Sequence, residues 1–335
     1  MEYRVLGRTG LRVSQVGFGC GDVGGLMVRG EAADRVRAVA AAQSMGINYF
    51  DTAPRYGNGV SETNLGLALK DIQQGTQAEV HVGTKASLGP EDKMDVKAGV
   101  IRSVERSLKR LGRDSVDLIQ LHNRVVPSPD PSLPDLSPED LLGQVVEAFQ
   151  ELQAQGKVRF YGMTGLGDTG ALHKVVDSGA MDTVQVCYNL LNPTAGDATF
   201  AGSYAQDYRN LIGRATAQSA GIIAIRVVAA GALTGVSVRH PVAIPSVAPI
   251  GTGRDYQEDL RRADGFRFLV DEGIVESLVE AAYRFVLSNE QVSMALMGLS
   301  SMEQLEESVR WAAMGPLPTS ALERLPEIWQ RFAQE

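Results

Sequence analysis

Short runs of Val, Ile and other apolar residues alternate along the chain with longer stretches whose apolar positions recur every three to four residues. The runs lie near 14–18, 47–50, 79–84, 116–121, 157–163, 182–187, 221–226 and 293–297, and they read as strands buried on both faces. Between them the spacing predicts helices over 31–45, 61–70, 94–111, 138–155, 168–178, 204–219, 271–288 and 302–312. Val96, Val100, Ile101, Val104, Leu108 and Leu111 show one buried helical face most plainly. A hairpin, Tyr3–Leu6 and Leu11–Val13 around Gly7-Arg8-Thr9-Gly10, precedes the first unit, and an extra helix is expected over 319–334. Eight strand–helix units predict an α/β fold: one closed (β/α)8 TIM barrel, a single domain over 1–335, with the hairpin capping its bottom.

Two connections break the short-loop pattern. Residues 123–138 include Pro127, Pro129, Pro131, Pro134 and Pro138, and 231–266 run through Gly, Pro and Ser before the next helix. Loops this long in a compact domain are usually functional. Both leave C-terminal strand ends, so both are expected over the mouth of the barrel.

Three of the apolar runs stop at an ionisable residue: Asp51, Lys85 and His122. Tyr56 lies five residues past the first. In a parallel barrel these strand ends converge on one mouth. Each residue alone has an ordinary use, as turn former, solvated lysine, core histidine or half-buried aromatic. Together they form a proton-transfer site. Tyr56 is the expected acid/base, and an ammonium ~4 Å away is expected to lower its pKa by ~1–3 units. Asp51 would hold Lys85 charged, and His122 would orient a carbonyl oxygen. A competing signal is Gly19-Cys20-Gly21-Asp22-Val23-Gly24, which follows a strand as a Rossmann fingerprint does. Its helix opens too late, near Glu31, and the acid at Asp51 lies too far on.

Composition narrows the setting. With 44% apolar and 21% charged residues the chain reads as a soluble globular protein. A formal charge of −8 argues against nucleic acid or an anionic membrane surface as main partner. Two cysteines, Cys20 and Cys187, give no disulfide framework. With neither a signal-peptide core nor a run approaching ~18–20 apolar residues, a cytoplasmic protein is expected. No metal is expected.

The sequence resembles the aldo-keto reductase superfamily over nearly its whole length. The start from Tyr3 to Ser14 followed by Gly17-Phe18-Gly19, and Asp51-Thr52-Ala53-Pro54-Arg55-Tyr56-Gly57 with Ser61-Glu62 and Leu65-Gly66, carry the resemblance. So do Thr84-Lys85, Leu121-His122, Gly156–Arg159, Gln185–Asn189 and the segment from Gly298 to Glu307. It implies the tetrad Asp51, Tyr56, Lys85, His122 and an NADP or NAD cofactor extended across the mouth. Cofactor contacts are implied from Gly19, Cys20, Gly21, Asp51, Thr164, Gly165, Gln185, Val227, Ala229, Leu233, Gly298, Ser300, Gln304, Glu307 and Ser308. Departures concern that cofactor. Thr164-Gly165 stands where Ser-Asn is common, and Ala224–Val228 replaces a Tyr-Ser-Pro-Leu-like run, with Arg226 expected to carry contacts instead. Gln304 stands where an Arg often holds the 2′-phosphate, and Ser308 replaces an Asn. The motif form is similar to the branch of aldose, L-galactose and pyridoxal dehydrogenases. The resemblance therefore implies hydride transfer between NADP or NAD and a small carbonyl compound or sugar lactol. The rival it leaves is a cofactor-binding regulatory subunit of the channel β-subunit type.

Overall fold

A computed structural model describes residues 1–73, 79–197 and 204–332. An antiparallel hairpin, β1 (Tyr3–Val5) and β2 (Arg12–Ser14), leads into eight parallel strands. These are β3 (Val16–Gly19), β4 (Tyr49–Asp51), β5 (His81–Ala86), β6 (Val116–Leu121), β7 (Val158–Thr164), β8 (Thr183–Cys187), β9 (Gly221–Ile225) and β10 (Met294–Gly298). They close in the order β10-β3-β4-β5-β6-β7-β8-β9, with Met294 opposite Ile223 completing the ring. The fold is the eight-stranded α/β barrel that the alternating pattern predicts, and the open Rossmann sheet is excluded.

All six residues of β5 and all six of β6 are buried, because helices cover one face and the barrel interior the other. Period-two alternation separates the two sets. Tyr49, Leu118, Ile223 and Met294 form a core of their own with Leu6, Leu11 and Val13 of the hairpin, which plugs the bottom of the barrel. Outside, the helix Val96–Leu111 buries Val96, Val100, Val104, Leu108 and Leu111. Its first turn is capped by Asp95, which accepts from the Ala98 amide at 3.0 Å.

Four stretches differ from the expected pattern of helices and loops. The stretch 204–219 is helical only over Leu211–Ala217, because the backbone before it is bound elsewhere: the Gln206 carbonyl accepts from Asn192 Nδ2, and the Tyr208 amide donates to Thr194 Oγ1. The stretch 271–288 is helical only over Leu278–Ser288, after a short helix Phe268–Asp271 that ends before Gly273 turns left-handed. Within 231–266, expected to be loop, Tyr256–Asp264 is a helix. The C-terminal span resolves into Thr319–Leu322 and Leu325–Phe332, and 333–334 lie outside the described residues. Among the described residues no helix is long and apolar enough to cross a membrane.

Gly19 and Gly24 serve close approach of β3 and the turn after it to β10 and the residue just past it. A Cβ on Gly19 would stand 2.1 Å from the Met297 carbonyl oxygen, and one on Gly24 would stand 2.4 Å from that of Leu299.

Candidate active site

Inward-facing positions at the upper ends of adjacent strands bring the four residues together. Asp51 is the last residue of β4, Lys85 the fifth of β5, and His122 follows β6 directly. Lys85 Nζ donates to Asp51 Oδ1 and, at 2.9 Å, to the Thr52 carbonyl. Gln185 Nε2 donates to Asp51 Oδ2 at 2.7 Å, so both oxygens of the buried carboxylate are engaged. The Lys85 ammonium lies 4.9 Å from the centroid of the Tyr56 ring, so its charge acts on the phenol. The His122 ring stands edge-on to Tyr56, centroids 5.9 Å apart at 86°.

Burial opposes every charge here. It pulls Lys85 down, but Asp51 and Tyr56 outweigh it and leave the ammonium above its usual pKa. Burial raises the Asp51 carboxyl against the pull of Lys85 and Gln185. At Tyr56 burial pushes the phenol above its usual value, and the Lys85 cation offsets only part of this. The net lowering expected from the sequence is therefore corrected: desolvation of the ring reverses the sign. For His122, burial first and then Lys85, Arg55 and Arg226 bring the pKa down to about 2, so the imidazole is neutral near neutral pH. The arrangement is an undissociated phenol in contact with a charged ammonium, beside a neutral imidazole. Such a set can give a proton to an oxygen seated against it, and in the ionised form of the phenol, which the ammonium stabilises, can take one back.

Neighbours without an assigned role in the sequence reading hold this geometry. Asp22 accepts the Gly57 amide at 3.2 and 3.1 Å, fixing the left-handed turn at Gly57 and Asn58 that follows Tyr56. Glu62 accepts from Thr84 Oγ1 and from Arg110 Nε, each at 2.6 Å, next to Lys85 on the chain. Ser61 Oγ bridges Thr52 Oγ1 and the Cys20 carbonyl at 2.8 Å each. The Ser61-Glu62 pair in the sequence motif was the available signal. Cys20 and Cys187 are both free thiols buried beside the site, and burial raises the pKa of each.

A cleft of about 630 Å³ opens over Tyr56 and His122 and runs past β10 to Gln304, Ser308 and Trp311. The loop after β9 straps it. Arg239 of that loop donates to the carbonyls of Ile244 and Ala230 at 2.7 and 2.8 Å. Across the cleft, the Ile244 amide reaches the Val23 carbonyl at 3.2 Å, and Arg29 Nε the Val242 carbonyl at 2.7 Å. The far end of the strap is fixed by Asp259, which accepts the amides of Ile250, Gly251 and Thr252 at 2.7, 2.9 and 2.8 Å.

Residues 15–330 match the model of the Aldo/keto reductase family. The chain belongs to that family. Among its relatives, L-galactose dehydrogenase of Arabidopsis thaliana is 30% identical over 312 residues, covering 92% of this chain and 87% of the relative. A putative voltage-gated potassium channel subunit beta of Schizosaccharomyces pombe is 27% identical, covering 98% and 93%. A holo-form aldo-keto reductase structure from Bacillus halodurans superposes with a TM-score of 0.71 at 22% identity, over 98% of this chain and 96% of that one, and this likeness supports the fold. The protein is thus an NAD(P)-dependent oxidoreductase of the aldo/keto reductase family.

Of the positions that the sequence assigned to the reductase's cofactor, Gly19, Gly21, Asp51, Thr164, Gln185, Arg226, Val227, Gly298, Ser300, Gln304, Glu307 and Ser308 line the cleft. Cys20, Gly165, Ala229 and Leu233 do not; Cys20, Ala229 and Leu233 are buried in the packing behind it. The lining fits a nicotinamide dinucleotide. Gly298 carries no Cβ where a side chain would project into open space. His122 Nδ1 and Trp311 Nε1, at opposite ends of the cleft, are buried without a protein partner, a cost that a polar ligand relieves.

Proposed function

We propose that Tyr56 is the general acid/base of this oxidoreductase and that its substrates are aldehydes, ketones or sugar lactols. The observation that carries this reading is the buried Asp51–Lys85 pair in contact with the Tyr56 phenol, with His122 edge-on beside it. A bound nicotinamide ring supplies or accepts a hydride at the substrate carbon. Tyr56 then gives its proton to the carbonyl oxygen as that carbon is reduced, or takes the hydroxyl proton as a lactol becomes a lactone. Lys85 steadies the charge that develops on the phenol oxygen, and Asp51, pinned by Gln185, keeps Lys85 charged. The neutral His122 directs the substrate oxygen at Tyr56.

Residues Gly19, Gly21, Thr164, Gln185, Gly298, Ser300, Gln304, Glu307 and Ser308 would hold the cofactor, and both NADP and NAD would be accepted. A sugar lactol as substrate is supported by the likeness to L-galactose dehydrogenase. Two buried free cysteines suit a cytoplasmic setting. The channel-subunit relatives keep a second reading in view, a regulatory protein whose turnover is incidental. Absorbance of the reduced cofactor, followed with a panel of aldehydes and aldoses including L-galactose, tests the enzyme reading. Turnover lowered at least ~10²-fold by Tyr56→Phe is expected, and cofactor binding with no turnover on any member would defeat it.

A further inference from the structure

The positive charge at the substrate end of the cleft has no counterpart in the machinery described so far. Arg55 precedes Tyr56, Arg124 stands two residues past His122, and Arg226 follows β9. Arg55 and Arg226 line the cleft together with Tyr56 and His122. All three arginines are exposed in a chain whose formal charge is −8. Among the described residues none of the three guanidiniums has an ion pair within 4 Å, in contrast to Arg29, Arg110, Arg159, Arg214 and Arg324. The acids nearby are committed or distant: Asp51 to Lys85, Asp22 to the Gly57 amide and Arg29, and Asp135 beyond ion-pair range of Arg55. Arg226 also holds a left-handed backbone, φ 58°, with its carbonyl fixed by Asn189 Nδ2 at 3.1 Å. A non-glycine residue kept in that region points to a use for its placement.

We propose that the substrate carries an oxyanion, a carboxylate or a phosphate, a few bonds from its reacting carbonyl or lactol carbon. Arg55 and Arg226 grip that anion. A planar guanidinium fork matches either oxyanion. The inference rests on the oxidoreductase reading of this same site. It assigns Arg226 to the substrate rather than to the cofactor: its charge is felt at His122, Cys187 and Tyr208, and Arg124 also acts on Tyr208. The groups at the far end of the cleft, Gln304, Glu307 and Ser308, follow β10 instead.

Matched pairs decide the matter: glucuronate or glucose 6-phosphate against glucose, and succinic semialdehyde against butanal, each with NAD and NADP. The anionic member of at least one pair is expected to have a kcat/KM about tenfold higher or more at low salt, with the advantage shrinking at high salt. Carboxylate and phosphate are told apart by which anion gains. Arg55→Gln and Arg226→Gln should each cut the anionic-to-neutral ratio about tenfold, and the lysine variants should restore part of it. A wild-type ratio of one or less in every pair would overturn the inference and leave the oxidoreductase standing. So would an Arg226→Gln effect confined to cofactor affinity, measured by fluorescence titration. If no pair turns over, calorimetry with gluconate against sorbitol on the cofactor-loaded protein separates the two ideas. Arginine-dependent gluconate binding would keep the anion site while the oxidoreductase reading fell, and its absence would end both.

Discussion

Tyr56 holds its proton more tightly than a free phenol does, yet it touches a group that can stabilise the proton's departure. Burial sets the first property and Lys85 the second. Tyr56→Phe should lower kcat by at least ~10²-fold while cofactor affinity stays nearly intact, since the loss is of acid–base catalysis; steady-state rates and fluorescence titration check both halves. Lys85→Met removes the cation that opposes burial, so the basic limb of the oxidation pH profile should move upward as the rate falls. An unmoved limb would give Lys85 a different role. His122, with its pKa brought down to about 2, should show no imidazole titration between pH 5 and 8 by NMR, unlike an ordinary histidine near 6.5. At the far end of the cleft, Gln304 Oε1 accepts the Ser300 amide at 2.7 Å, which leaves only its NH₂ for a ligand. A preference between NADP and NAD below ~100-fold is expected, and Gln304→Arg should shift it towards NADP by ~1–2 kcal/mol in cofactor titrations. Asp51, Lys85 and His122 were legible because an apolar run that stops at a charge marks a strand end. The sign of the Tyr56 shift was not, because desolvation depends on neighbours that the chain brings in from β5, β6 and the loop after β3.

At the scale of elements, the strap depends on a helix that apolar spacing does not reveal. Tyr256–Asp264 buries Asp259 fully and leaves Arg262 only 2% exposed, so its inner face carries charged residues instead of an apolar stripe. The helix expected over 94–111, with an apolar inner face, forms over Val96–Leu111. The hairpin and the eight strands were likewise legible from alternation, and the irregular stretch after β6 from its prolines. The shortened Leu211–Ala217 was not, since Asn192 and Thr194, distant in sequence, take up the backbone of the segment before it. Because one carboxylate gathers the three amides of 250–252, Asp259→Ala should free the anchored end of the strap. Hydrogen exchange at those amides should accelerate, and the cofactor should dissociate several-fold faster in stopped-flow measurements.

The whole molecule divides into a bottom that stabilises and a mouth that reacts, a division common to barrels of this kind. Leu6, Leu11 and Val13 pack against Tyr49, Leu118, Ile223 and Met294 at the closed end, below the layer of Asp51 and Lys85. Leu6→Ala, at a fully buried position, should lower unfolding stability by ~2–5 kcal/mol in denaturant melts and leave the cofactor dissociation constant unchanged. The mouth has its own hazard. Aldehydes are electrophiles, and an enzyme that gathers them raises their concentration around its own nucleophiles. Cys20 and Cys187, the only thiols in the chain, are 1% and 5% exposed, and burial keeps both protonated. A protonated, enclosed sulfur is a poor nucleophile. The packing that sets the proton chemistry therefore also shields both thiols from electrophilic carbonyl compounds at the mouth, so covalent adducts should form on solvent-accessible amines such as those of Lys97 and Lys174 before they form on sulfur.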